Sequence, residues 1–150
     1  MSSAVALGLI VFVRPCTPEP ANPTIHTTVC EITRHLGDFD GKNVVFHARV
    51  ESDGIERTVL MDDKAECPRG LIPAAVTGNK KSERAEKAMT KLVYRGHPGT
   101  LDKEIEGDFV GLISLEKAED FGFSPTFPKV GVLRLESIRN LIEKSIVSRP

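Results

Sequence analysis

The sequence predicts a mainly β domain with helices: five strands coiled into a small barrel, in the order β-β-β-α-β-β, with a short helix before strand one. Three observations carry that prediction. Residues 44–51 and 105–115 alternate apolar and polar side chains with a period of two, as a strand with one buried face does. One helical pattern, at 82–95, separates the third and fourth strand segments. Gly107 and Gly111 fall on the apolar side of the fourth segment, where absent side chains let a sheet coil tightly.

Size and composition permit such a domain. The chain has 150 residues, 40% of them hydrophobic and 27% charged, enough for one packed core. The formal net charge of -1 lacks the basic excess by which nucleic-acid binders neutralise phosphates. Aromatic residues are 5%, with no Trp and one Tyr, so base-stacking platforms are poorly supplied.

The elements follow in order. Thr27 or Thr28 can cap a helix over Val29–Leu36, with Glu31 in capping-box position and Gly37 ending the helix in a left-handed conformation. Asp38-Phe39-Asp40-Gly41 then launches strand one, in which Val44, Phe46, Ala48 and Val50 face inward. Asn43, Val45, His47, Arg49 and Glu51 face outward. Ser52-Asp53-Gly54 reads as a hairpin turn and 56–62 as the return strand. Residues 71–76 form the third strand, with Pro73 marking an edge or a bulge. Ser82 caps the helix, whose inward face holds Ala85, Ala88, Met89, Leu92 and Val93, and Gly96 and Pro98 stop it. After the strand at 105–115 and a Phe-rich loop come a last strand at 130–138 and a short helical tail at 140–147. This is the order of an OB-fold barrel, and an open α+β sheet would use the same elements.

Ahead of the domain, residues 1–27 read as an apolar leader and a Pro-rich linker, with 28–150 as the single domain. The ten-residue run Ala4–Val13 is too short to span a bilayer but suits the core of a signal peptide. No Lys or Arg precedes it, so the signal reads as truncated at its start. The expected location is periplasmic or secreted, or cytoplasmic if 4–13 is instead an apolar element docked on the domain. Export would let Cys30 and Cys67 pair, closing a loop that contributes roughly 3 to 4 kcal/mol in the chain-entropy account. In a reducing compartment the same two residues would be buried thiols. Cys16 is left over.

Val29-Cys30-Glu31-Ile32, then Phe39-Asp40-Gly41-Lys42-Asn43-Val44, then a long strand ending in Glu51-Ser52-Asp53-Gly54, resembles small OB-fold domains of the tRNA-anti-like kind. The likeness covers roughly residues 28–141 and is strongest to uncharacterised bacterial exported proteins of that type. Phe121-Gly122-Phe123 and Phe127-Pro128 loosely match their Gly-Phe-Gly-rich segment, and Cys30 and Cys67 fall where that set tends to have cysteines. The resemblance implies a binding module and no established activity.

Asp38-Phe39-Asp40-Gly41 lacks the third Asp of a calcium loop, and Arg49 stands at its twelfth position, so it reads as a turn. Asp62-Asp63 could hold a cation at a rim but reads as a solvated strand end. His26, His35, His47 and His97 have no metal-ligand spacing, and no nucleophile elbow, His-Glu-x-x-His or phosphate loop occurs. The sequence thus predicts no enzyme and no cofactor. His47 and Arg49 on the outward face of strand one, with Phe121, Phe123 and Phe127 in the last loop, are the candidate contact residues for a protein or other surface ligand. For the Phe rings, plugging the barrel end is the alternative. Lys80, Arg84, Lys87, Lys91 and Arg95 form a helical stripe beside the apolar face that could receive phosphates or anionic lipid headgroups, or simply be a solvated flank. Single-stranded nucleic acid is the alternative ligand, through Arg49, that stripe and Phe123 or Phe127. An enzyme with dispersed residues is the remaining alternative. No segment is long enough to span a membrane.

Overall fold

The computed structural model describes residues 23–52, 58–62, 67, 69–93, 103–122 and 129–145. The apolar run at 4–13, Cys16, the predicted turn at 53–54, Asp63, Arg95, His97, Phe123 and Phe127 lie outside the described residues.

The described chain is mainly β. It runs β1 (Ile25–His26), α1 (Val29–Arg34), α2 (Leu36–Phe39), β2 (Asn43–Ser52), β3 (Thr58–Met61), β4 (Ile72–Ala75), α3 (Lys80–Val93), β5 (Lys103–Lys117), a 3-10 turn (Ala118–Phe121) and β6 (Lys129–Ser145). The six strands form one mixed sheet. Its path is β1-β2-β5-β6-β4, with β3 also pairing β2. β2 is antiparallel to β3 and β5, β5 is antiparallel to β6, and β4 is parallel to β6. The sheet is not closed by a continuous ladder. Its outlying strands β3 and β4 approach at one bridge, where Leu60 N–H donates to Leu71 O at 2.8 Å and Leu71 N–H to Leu60 O at 3.0 Å.

The alternation in β2 does what its period requires. Val44, Phe46, Ala48 and Val50 are buried, and they meet Ile105, Phe109 and Ile113 of β5 and Leu133 and Leu135 of β6 in one core. Met89 of α3 is buried in that core, and Ala85, Leu92 and Val93 pack against it. Gly111 sits where β6 crosses closely, because a Cβ there would run into the Arg134 carbonyl. A Cβ at Gly107 would lie 3.2 Å from the Arg139 carbonyl oxygen. At both places β6, not β5, carries the extra residue. Asn140 and Leu141 oppose Gly107, and Glu136 is the unpaired residue beside Gly111. Asn140 takes a positive φ of 51°, a conformation Asn tolerates better than most residues.

Several local expectations change. Residues 140–145, predicted to start a helical tail, continue β6 as a strand to Ser145, since the N-terminal end of β5 offers them a pairing partner. The helix predicted over 29–36 stops at Arg34, and Gly37 lies in α2 rather than ending α1. Thr28 does cap α1, accepting from Glu31 N–H at 3.1 Å, while Thr27 Oγ1 donates to the Glu31 carboxylate at 2.8 Å. The cap of α3 is Asn79, whose side chain accepts from Lys81 and Ser82 N–H. Ser82 is instead fully buried and joins three elements: its hydroxyl donates to Leu135 O of β6 and accepts from Val76 N–H after β4. Of the Asp-Phe-Asp-Gly segment, expected to be a turn throughout, Asp38 and Phe39 end α2 and only Asp40-Gly41 form the turn into β2. Phe39 is buried, Gly41 has φ 74°, and Asp40 accepts from Leu115 N–H at 3.1 Å.

Candidate functional site

The outward face of β2, β5 and β6 carries the densest polar arrangement among the described residues. Register builds it. His47 of β2 stands opposite Asp108 of β5, which stands opposite Arg139 of β6; Arg49 stands opposite Glu106, which stands opposite Ile142. The even-numbered residues of β5, Glu104, Glu106 and Asp108, therefore line one face beside the odd-numbered His47 and Arg49.

The contacts fix these side chains. His47 Nδ1 is 2.9 Å from Asp108 Oδ1, and Asn140 Nδ2 donates to the other Asp108 oxygen at 2.6 Å. His47 Nε2 lies 3.9 Å from Glu106 Oε2, and Lys144 pairs with the other oxygen of Glu106. Arg49 bridges Glu51 at 2.5 Å and Glu104 at 3.7 Å. The His47 side chain stays 44% exposed while that of Glu106 is 11% exposed, so the imidazole stands proud of a sunken carboxylate. The hydrogen bond from Lys144, with the charge of Lys144 and then His47, holds Glu106 below its ordinary value against the opposing effect of burial. Hydrogen bonds from His47 and then Asn140 likewise lower Asp108.

Further along the same sheet face, Arg134 Nη2 donates to Glu116 Oε1 at 2.6 Å and Ser114 Oγ donates to the same oxygen at 2.9 Å, which lowers Glu116. Beside this pair is an open groove of about 510 Å³, lined by Asn43, Leu112, Arg134, Glu136 and the Val76–Thr77 turn. Both of its charged residues are engaged, Arg134 with Glu116 and Glu136 with Lys81. Among the described residues no group of three His, Cys, Asp or Glu side chains is placed to hold a metal ion, and no helix is long and apolar enough to cross a membrane.

His47 and Arg49 thus come together as expected. Phe121 does not join them. It is half-buried in the 3-10 turn after β5, at the opposite strand end from the Glu104–Asp108 row. Lys80, Arg84, Lys87 and Lys91 are all exposed on α3. At 100° per residue they centre opposite Met89 and Ser82, rather than beside the apolar face. The Sγ atoms of Cys30 and Cys67 are at bonding distance, with Cα atoms 5.4 Å apart, inside the usual disulfide span. Asp62 accepts from Cys30 N–H at 3.2 Å, so this carboxylate serves the start of α1.

Glu106, Asp108, Asn140 and Lys144 are absent from the expectation built on strand one, as is Glu104. The first two were findable, since cross-strand pairing places outward β5 residues beside His47. Asn140 and Lys144 were hidden by the helical reading of their segment. No protein-family model, curated protein or solved structure matches the chain.

Proposed function

We propose that this chain is a non-enzymatic, OB-fold-like binding module, exported to an oxidising compartment, whose β2–β5–β6 outer face contacts a protein or other surface ligand. The observation that carries the reading is the half-exposed His47 ring, held by Asp108, which Asn140 holds in turn. A polar side chain fixed before binding loses little rotamer freedom when a partner arrives. The neighbouring Arg49 is similarly fixed between Glu51 and Glu104.

The barrel part of the reading draws support from the order of pairings. From β3 the ladders run through β2, β5 and β6 to β4, and the Leu60–Leu71 hydrogen bonds link the two ends. A parallel pair within an otherwise antiparallel path, with a helix between β4 and β5, fits the OB-fold arrangement and the tRNA-anti-like resemblance. Export draws support from the Cys30–Cys67 contact, because disulfides persist in oxidising compartments.

Four carboxylates, Glu51, Glu104, Glu106 and Asp108, surround His47 and Arg49. They favour a polar protein surface over a phosphate backbone, which they would repel. The test is affinity capture from extracts of the producing cells, with the unaltered chain and with a His47→Ala/Arg49→Ala variant. A partner held by the former and weakened about tenfold or more in the latter is the expected result. Equal retention by both removes this face from the reading. Tight, steeply salt-dependent binding of labelled oligothymidine would favour a single-stranded nucleic-acid module instead.

A further inference from the structure

The charge on α3 is unevenly disposed. Lys80, Lys81, Arg84, Lys87 and Lys91 against Glu83 and Glu86 give the helix a formal charge of +3, in a chain of net -1. The two acids are drawn back toward the preceding turn. Glu83 accepts from Gly78 N–H at 3.0 Å and Glu86 from Ala75 N–H at 3.4 Å. Lys81 is turned to Glu136 at 3.2 Å. The remaining four cations, Lys80, Arg84, Lys87 and Lys91, are exposed and make no ion pair among the described residues. They lie within about 60° of arc and along about 16 Å of helix.

Helix stability explains only part of this placement: Lys91 stands in the last turn, where the helix dipole favours a cation. Lys80 stands in the first turn, where the helix dipole disfavours a cation. The stripe is centred opposite buried Ser82 and Met89, so its stems cover no core edge. It is also convex. Single-strand binders place cations in a groove with stacking aromatics, and here Phe39, Phe46 and Phe109 are buried in the core. A convex cationic line fits a broad, flat, negatively charged surface.

We infer that the outer face of α3 docks the protein on an anionic lipid surface, with Lys80, Arg84, Lys87 and Lys91 facing the headgroups. The contact is electrostatic and peripheral, because no large apolar side chain shares the stripe. It uses a different face from the His47 cluster, and either surface can fail without the other.

The test is sedimentation of the full chain with vesicles of phosphatidylcholine alone and with phosphatidylglycerol added. The difference between the two vesicle types reads the stripe. Binding is expected to favour the anionic vesicles and to fall as salt is raised. Each charge removed should weaken the anionic preference about fivefold, so Lys87→Gln/Lys91→Gln should lose about 25-fold. Both positions are exposed, and an unchanged thermal transition confirms that the variant folds. No anionic preference overturns the inference, as does a preference that survives the double substitution or high salt. Tighter binding to oligothymidine than to vesicles overturns it in favour of nucleic acid.

Discussion

The His47–Asp108–Asn140 contact is where single residues matter most. The lowered Asp108 carboxyl means that its hydrogen bonds favour the charged form in the folded chain. A depressed carboxylate contributes stability that is fully present above its unfolded value, about 3.9, and is lost as pH falls through the lower folded value. Asn140→Gly removes one donor while tolerating the positive φ. The variant is expected to be less stable than the parent at pH 6–7, with the difference shrinking below about pH 4. Urea unfolding across that range checks it, and a difference independent of pH would remove Asn140 from the network. The outward placement of His47 and Arg49 was legible from alternation alone. The anchoring of His47 by Asp108 and of Arg49 by Glu104 needed only the register of β5. Asn140 was not legible, because its role depends on a bulge that brings a distant residue beside Asp108.

Among the elements, strands were read better than termini. β2, β5 and the inward face of α3 announce themselves by period, because each has one buried side. The tail after residue 139 was misread because Leu141, Ile142 and Ile146 also fit a helical spacing, and the partner that decides it, Lys103–Glu106, is remote in sequence. Ser82 was misread for a similar reason: its local pattern suits a cap, whereas its burial against Leu135 comes from packing. The glycines of β5 were read for the right strand but not for the reason that β6 bulges against them. Gly111→Ala should force β6 away and destabilise the chain by about 1–3 kcal/mol. Gly37→Ala, where an added Cβ meets nothing within 4 Å, should cost far less. Denaturant unfolding compares the two; equal effects would mean that β6 does not press on Gly111.

For the molecule as a whole, two charged surfaces stand out on separate elements. The β5 carboxylate row with His47 and Arg49 is the proposed partner face, and the α3 stripe is the proposed lipid-facing one. Cys30 and Cys67 tie α1 to the segment between β3 and β4, a link whose two ends are 37 residues apart in sequence. Sequence could suggest that link through the compartment and through the resemblance, which tends to place cysteines at both positions. The arrangement of the whole rests on whether the sheet's two ends, β3 and β4, stay joined at Leu60 and Leu71. Amide hydrogen exchange at those two residues is the most direct measurement. The account predicts slow exchange, comparable with the paired amides of β5 and β6. Rapid exchange at Leu60 and Leu71, with β5 and β6 still protected, would contradict it.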